Sequence, residues 1–202
     1  MNVNQTAAWI THYNQHLQDQ KDYLTSLDRK IGDGDHGINM ARGFAEAAKA
    51  VEAETFETSA DVLKKAAMTV MSKVGGASGP LYGTALLKMS MAAKGKDIKG
   101  DVFADMFEAA IDGIKQRGKA ETGEKTMLDV WVPVLEEVKS SGFDAANVEE
   151  TAQKAMEATK DLTATKGRAS YLKERSKGHL DPGAVSSYYL FVSLAEALKE
   201  EG

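Results

Sequence analysis

The segment LDRKIGDGDHGINMARG, residues 27–43, sets Asp28, Asp33 and Asp35 close together in a glycine-rich turn. Carboxylates this near one another repel, so the turn requires a compensating cation. Arg29, Lys30 and Arg42 can provide it as ion pairs. The other candidate is a hard divalent ion, above all Mg²⁺, which takes one or two carboxylates together with phosphate oxygens and water. Under that reading the acids hold the metal that bridges to a phosphate. His36 can then donate to a phosphate oxygen beside the backbone N–H groups of Gly37, Ile38 and Asn39, where a helix begins. Two other readings fail. Gly32, Gly34 and Gly37 spell the dinucleotide-binding pattern, but a helix end precedes them instead of a strand. An EF-hand counted from Asp33 would meet Gly37 and Phe44 where it needs oxygen ligands.

Three further stretches carry the same character. In VGGASGPLYGT, 74–84, Ser78 and Gly79 precede Pro80, which suits a first helical turn. Free N–H groups and the Ser78 hydroxyl there favour an anion, although a tight interhelical turn would use similar residues. In RGKAETGEKTMLD, 117–129, the Gly118-to-Gly123 spacing is one residue out of register with a Walker A loop. Thr126 reads instead as an N-cap with Asp129 three residues on, and Met127 as a flexible apolar contact suited to adenine. KGRASYLKERSKGHLDPG, 166–183, shows little helical periodicity and holds Arg168, Lys173, Arg175, Lys177 and His179. Tyr171, Leu172 and the Asp181-Pro182-Gly183 turn mark it as an ordered loop. Arg168 or Arg175 can stabilise the charge of a transferring phosphoryl group.

Helices must position these loops. Ile10, Tyr13, Leu17 and Leu24 share one helical face, as do Val62, Leu63, Ala66, Ala67, Val70, Met71 and Val74, with Thr58 and Asp61 as a capping pair. Similar patterns cover 38–53, 80–94, 101–117, 126–140, 147–162 and 183–200, which predicts about eight helices. No stretch alternates apolar and polar residues between turn signals. The expected fold is an all-α bundle of amphipathic helices, neighbours mostly antiparallel, residues 1–202 forming a single domain. In such a bundle alternate connections meet at one end, and the glycine-rich stretches 32–37, 75–83, 118–123 and 167–183 are such connections.

Composition narrows the function. A net charge of −5 argues against a nucleic-acid binder, and the lack of cysteine excludes thiol catalysis, disulfides and zinc–thiolate sites. The N-terminus lacks the basic start and apolar core of a signal peptide. No window reaches the roughly 18 consecutive apolar residues of a membrane span. A cytoplasmic protein that binds neither nucleic acid nor membrane is expected.

Together, GDGDHGINMARG, GGASGPLYGT, GEKTMLDVWVP and GRASYLKERSKGHLDPGAVSS resemble, in order and spacing, the nucleotide-binding (L-type) subunit of bacterial dihydroxyacetone kinase. The related fatty-acid kinases carry D-G-D-T-G, so His36 tilts the likeness toward the dihydroxyacetone enzymes. The resemblance implies an eight-helix barrel with ADP or ATP and two Mg²⁺ ions at one end. It implies Asp28, Asp33 and Asp35 as metal ligands, and His36, Gly37, Ile38, Asn39, Ala77, Ser78 and Gly79 on the phosphate side. Gly118 and Met127 would border the nucleotide, with Arg168 and Asp181, Pro182 and Gly183 closing over it. Lys173 departs from relatives, which often have a small residue there. The implied partners are a substrate-binding K subunit, a phosphohistidine-carrying M-type protein of the phosphotransferase system that recharges ADP in place, and in some relatives a transcription regulator. Exchange of free ATP and a purely nucleotide-sensing role are the alternatives.

Overall fold

The computed structural model describes residues 1–200, which form nine α-helices and two 3₁₀ segments, with no strand among the described residues. The helices are α1 (Val3–Asp19), α2 (Lys21–Ile31), α3 (His36–Glu52), α4 (Ser59–Lys73), α5 (Ser78–Ala93), α6 (Asp101–Gly118), α7 (Leu128–Ser141), α8 (Ala145–Ala158) and α9 (Pro182–Lys199). Short 3₁₀ segments follow α8 at Thr159–Asp161 and precede α9 at Arg168–Ser176. From α3 to α9 each helix packs on the next, and α1 packs on both α9 and α3. Those contacts close a ring of eight helices, with α2 as an added element beside α3 and α9. An even number is what an antiparallel ring needs in order to close without a parallel pair.

The all-α fold expected from periodicity is therefore observed, in the eight-helix barrel form that the family resemblance implies. The continuous first segment is not. At Gln20 (φ −102°, ψ 9°) the chain leaves the helix, its N–H shared between the Gln18 and His16 carbonyls, and restarts as α2. Leu24 keeps its place in the core, which is why the apolar pattern ran through the break unnoticed. The last pattern before α9, 147–162, also ends early: α8 stops at Ala158 and tightens into the 3₁₀ turn.

Inside the ring lies one apolar core holding Trp9, Tyr13, Phe44, Tyr82, Phe107, Trp131 and Phe191. Three of these rings meet edge to face and bring α6, α7 and α9 into register. Their centroids lie 6.4 Å apart for Phe107 and Trp131, 5.5 Å for Phe107 and Phe191, and 5.0 Å for Trp131 and Phe191. Each such ring contributes about 2–3 kcal/mol by leaving water. Capping fixes the helix ends: Asn2 and Gln5 form a capping box on α1, Thr58 caps α4 through the Asp61 N–H, and Asp144 caps α8. No described helix is long and apolar enough to cross a membrane.

Candidate functional site

The α2–α3, α4–α5, α6–α7 and α8–α9 connections meet at one end of the ring around a cavity of about 290 Å³. Asp28, Asp33, Asp35, Ala77, Ser78, Lys125, Met127, Arg168 and Asp181 all line it. The size is close to the lower bound for small-molecule pockets.

Asp28 stands in the last turn of α2 and is buried. Its Oδ2 accepts the N–H groups of Asp35 (2.9 Å) and His36 (3.1 Å). It thus caps α3 from a neighbouring helix. Asp35, the formal N-cap, has no capping bond of its own and is left to face the cavity. Gly34 makes this possible by turning the chain at a φ of 75°, a conformation that costs glycine little. One oxygen each from Asp28, Asp33 and Asp35 lies within 4.8 Å of the others. Burial raises the Asp35 carboxyl above the ordinary carboxylate range; the neighbouring Asp33 adds to this, a hydrogen bond with Asn39 opposes it, and Asp28 pushes it further up. This is an oxygen-only donor set suited to a hard cation.

Among the described residues, none of Arg29, Lys30 and Arg42 forms an ion pair with the three acids. Arg168 does, its Nη2 lying 2.9 Å from Asp33 Oδ2. Arg42 turns instead to Asn39 Oδ1 at 2.8 Å. Local spacing favoured the near cations, but the guanidinium that arrives is brought by the distant 3₁₀ segment.

His36 opens α3 and is buried. Desolvation lowers its pKa to about 4, only partly opposed by Asp28, so the ring is neutral. Its Nδ1 meets Ser78 Oγ at 3.0 Å and its Nε2 meets Ser186 Oγ at 2.9 Å. From Ser186 the chain of contacts continues to the Tyr82 hydroxyl (2.7 Å) and on to Ser187 (2.9 Å), which accepts from Trp131 Nε1 at 3.0 Å. A single buried network thus links the cavity wall to the core through α5, α3, α9 and α7. None of Tyr82, Ser186, Ser187 and Trp131 stood out in the sequence, because each sits in an apolar helical face.

The α6–α7 loop is pinned from both sides. Asp129 Oδ2 accepts the Thr126 N–H (2.7 Å) and its Oδ1 accepts that of Gly123 (2.5 Å). Thr126 Oγ1 accepts from Leu128 N–H at 3.2 Å, which matches the capping role expected of it. Met127 is placed on the cavity wall beside Gly183, the two helix starts touching there. Between these lies Lys125, only 1% exposed and with a φ of 62°. Its Nζ donates to the carbonyls of Thr159 (2.5 Å), Leu162 (3.1 Å) and His179 (2.5 Å). Burial lowers its pKa, while Asp181, Asp161 and Asp129 act in the opposite sense. Sequence reasoning passed over this lysine, because the near-Walker glycine spacing before it is out of register.

Asp181 caps α9 by accepting the Ala184 N–H at 2.7 Å. Pro182 takes the first helical position, where its missing N–H costs nothing. The Asp181 N–H itself reaches Thr159 Oγ1 at 3.2 Å. Burial raises the Asp181 carboxyl to about 7; the Ala184 N–H and Lys125 oppose the shift, and Asp129 and Asp28 reinforce it.

The stretch read as lacking helical periodicity contains the 3₁₀ segment Arg168–Ser176, whose residues i and i+3 eclipse and leave no 3.6-residue pattern. Ala169 packs with Ile31 and Ala164, and Ser176 Oγ accepts the Ala164 N–H at 2.8 Å. Arg168 thereby reaches the mouth of the cavity while its side chain stays 69% exposed. The segment is interrupted at Lys173 (φ 52°, ψ −128°), where the helical conformation is lost.

Six of the residues expected to contact the ligand or assist transfer do not line the cavity: Gly37, Ile38, Asn39, Gly79, Gly118 and Arg175. A Cβ at Gly37 would stand 2.1 Å from the Lys21 carbonyl oxygen, so this glycine lets α3 close on α2. Gly79 plays the same part against the Val74 carbonyl oxygen, 2.2 Å from its would-be Cβ. Asn39 is one layer back, beside Gly75 and Asp35. Gly118 touches Leu81, which does line the cavity. Ile38 and Arg175 are exposed on the surface outside it.

A family model described as the DAK2 domain matches residues 30–196. The chain is similar along nearly its whole length to the PTS-dependent dihydroxyacetone kinase, ADP-binding subunit DhaL, of Lactococcus lactis: 47% identity over 198 residues, 98% of this chain and 99% of the relative. The ADP-binding subunit DhaL of PEP-dependent dihydroxyacetone kinase 1 from Listeria innocua is 49% identical over 188 residues, 93% of each chain. The corresponding Escherichia coli subunit is 42% identical, with 97% of each chain covered. The fold matches part of the C. freundii dihydroxyacetone kinase at a TM-score of 0.76 and 23% identity, covering 95% of this chain and 34% of that longer one. The same enzyme in complex with AMP-PNP and Mg²⁺ gives 0.75 and 24%.

Proposed function

The chain belongs to the DAK2-domain family, and from that premise we propose that it is the ADP/ATP- and Mg²⁺-binding subunit of a cytoplasmic dihydroxyacetone kinase. In this reading it hands the γ-phosphoryl group of ATP to dihydroxyacetone carried by a separate K-type subunit. A phosphohistidine protein of the phosphotransferase system, of M type, rephosphorylates the ADP without its release. The relatives similar over almost their full length are named ADP-binding subunits of PTS- or PEP-dependent dihydroxyacetone kinases, which supports this reading. The observation that carries the reading is the convergence of alternate connections on one cavity, with three carboxylate oxygens within 4.8 Å of one another on its wall.

The residues fit the implied groups. Asp28, Asp33 and Asp35 would hold two Mg²⁺ ions, Asp28 being fixed by the two N–H groups it accepts. When bound, Mg²⁺ would supply positive charge to offset that of the nucleotide phosphates. Ser78 and the N–H groups at the start of α5 present donors to a phosphate. His36, kept neutral by burial, holds the Ser78 hydroxyl without adding a charge to the site. Ile31, Leu81 and Met127 provide the apolar surface against which a base can lie. Arg168 supplies a cation at the mouth, where the transferring group's negative charge needs compensation. Arg175, off the cavity, takes no part in this reading.

The test is reconstitution. Purified protein is assayed for bound nucleotide, then mixed with Mg-ATP and a K-type subunit loaded with dihydroxyacetone. Stoichiometric ADP on the purified protein and formation of dihydroxyacetone phosphate are expected. Nucleotide binding without transfer to any K-type partner would leave a sensing role, including action on a transcription regulator. Absence of nucleotide binding would overturn the reading.

A further inference from the structure

Lys125 lines the cavity and follows a glycine spacing close to that of a phosphate loop, which invites the assumption that its ammonium meets phosphate. The geometry points to something else: we propose that Lys125 is a positioning residue, whose ammonium fastens the α6–α7 loop to both ends of the α8–α9 connection at the nucleotide cavity and has no proton left for the ligand. An ammonium has three N–H donors. All three are taken, by the carbonyls of Thr159, Leu162 and His179.

Those carbonyls come from the two ends of the α8–α9 connection. Thr159 and Leu162 bracket the 3₁₀ turn after α8, and His179 stands just before α9. The ends are also joined by the Gly178 N–H, which donates to the Lys160 carbonyl at 2.8 Å. Thr159 closes α8 and accepts the Asp181 N–H through its hydroxyl. Leu162 opens the extended run toward the Arg168 segment, within which Thr165 donates its N–H to the Glu124 carbonyl at 3.3 Å. His179 precedes the Asp181-Pro182-Gly183 start of α9. Lys125 itself leads directly into Thr126 and Met127 on the cavity wall. One buried side chain therefore ties the Met127 wall to both ends of the connection that carries Arg168, alongside the Thr165–Glu124 and Gly178–Lys160 backbone bonds. Its left-handed backbone, unusual for lysine, aims the side chain inward, away from the loop surface.

The inference rests on the nucleotide site proposed above, and its first readout is independent of any ligand. In ligand-free Lys125→Met, amide hydrogen exchange across 159–165 and 177–183 should speed up by at least about tenfold, since buried carbonyls lose their charged partner. Helices α3 to α6 should be unaffected. Unchanged exchange in those loops would overturn the proposal.

The second readout uses Mg-ADP, with the wild-type protein as the control on the site itself. Because the chain has no cysteine, Lys125→Cys introduces a single thiol. Alkylated while unfolded with 2-bromoethylamine it regains an ammonium at nearly the original reach; alkylated with bromoethane it becomes a neutral chain that differs by lacking the terminal ammonium. After refolding, the aminoethyl form should bind Mg-ADP within about threefold of wild type and the ethyl form at least about tenfold more weakly. Equal binding by the two forms would overturn the proposal. Failure of the wild-type protein to bind Mg-ADP would instead overturn the nucleotide site, leaving the exchange result to decide on Lys125.

Discussion

Replacing Asp33 by asparagine removes one charge from the acidic cluster while leaving its shape. In the ligand-free protein two effects oppose. Carboxylate oxygens within 4.8 Å repel by about 1 kcal/mol in water-like surroundings and by about 3.5 kcal/mol at an effective dielectric of ~20. Asp33 and Asp35 are exposed, so the lower figure governs. Against that relief stands the lost ion pair with Arg168, an arginine 69% exposed, which contributes about 0.5 kcal/mol. The balance leaves ligand-free stability within about 1 kcal/mol of wild type, or about 2–4 °C in Tm for a chain of this size. Mg-ADP should behave differently. At one hundred times Kd it stabilises the wild-type protein by about 2.7 kcal/mol. That corresponds to a rise in Tm of about 5–10 °C. Loss of a metal ligand weakens affinity by about 100-fold or more, leaving about 0.4 kcal/mol at the same concentration. Differential scanning calorimetry with and without Mg-ADP reads both quantities. A full ligand shift in Asp33→Asn would remove Asp33 from the metal set, and a large drop in the ligand-free protein would make it a structural partner of Arg168.

Other substitutions test the frame around the site. Lys173 holds the backbone of the first corner of a type II′ turn, which glycine prefers. Relief of that conformation in Lys173→Gly should stabilise by about 1 kcal/mol and raise Tm in a thermal melt. Among the described residues the Tyr13 hydroxyl is buried without a hydrogen-bond partner, whereas that of Tyr82 links Ser186 to Ser187. In chemical denaturation Tyr13→Phe should be neutral or gain about 1 kcal/mol, while Tyr82→Phe should lose about 1–3 kcal/mol. Equal effects of the two would contradict the buried network. Asp181 titrates near about 7 in the fold against an ordinary value of 3.8, so between these pH values the native state holds a proton that the unfolded chain has released. Stability contributed by this group is thus highest below about pH 4, falls as pH rises, and levels off above about 7. Asn keeps the cap without the charge. The Tm of Asp181→Asn minus that of wild type should therefore grow between about pH 4 and about pH 7.5, and a flat difference would mean that Asp181 is ionised throughout.

The helices and the clustering of glycine-rich loops were legible because helical burial leaves a 3.6-residue signal and long connections break it. The acidic turn was legible because its charges are adjacent in the chain. What escaped was long-range. Arg168 reaches Asp33 from a distant part of the sequence, so local counting favoured Arg29, Lys30 and Arg42. The Gln20 break kept the apolar phase and so left no trace. Gly37 and Gly79 read as ligand contacts because a glycine that admits a phosphate and a glycine that admits a helix have the same letter. Lys125 was visible only as a failed motif, since nothing local says that its ammonium faces three carbonyls from distant segments.

The closed antiparallel ring divides the connections by parity. Those that follow α2, α4, α6 and α8 all shape the cavity, and those that follow α3, α5 and α7 all lie at the opposite end. The two sets are therefore separate in what they can tolerate. Lengthening the α5–α6 turn at the exposed Gly95, ahead of the buried Ile98, should cost little beyond loop-closure entropy, about 0.6 kcal/mol per doubling, and should leave the cavity untouched. That end of the molecule is free to carry a tether, a label or an inserted module, while every residue added at the other end must answer to the ligand.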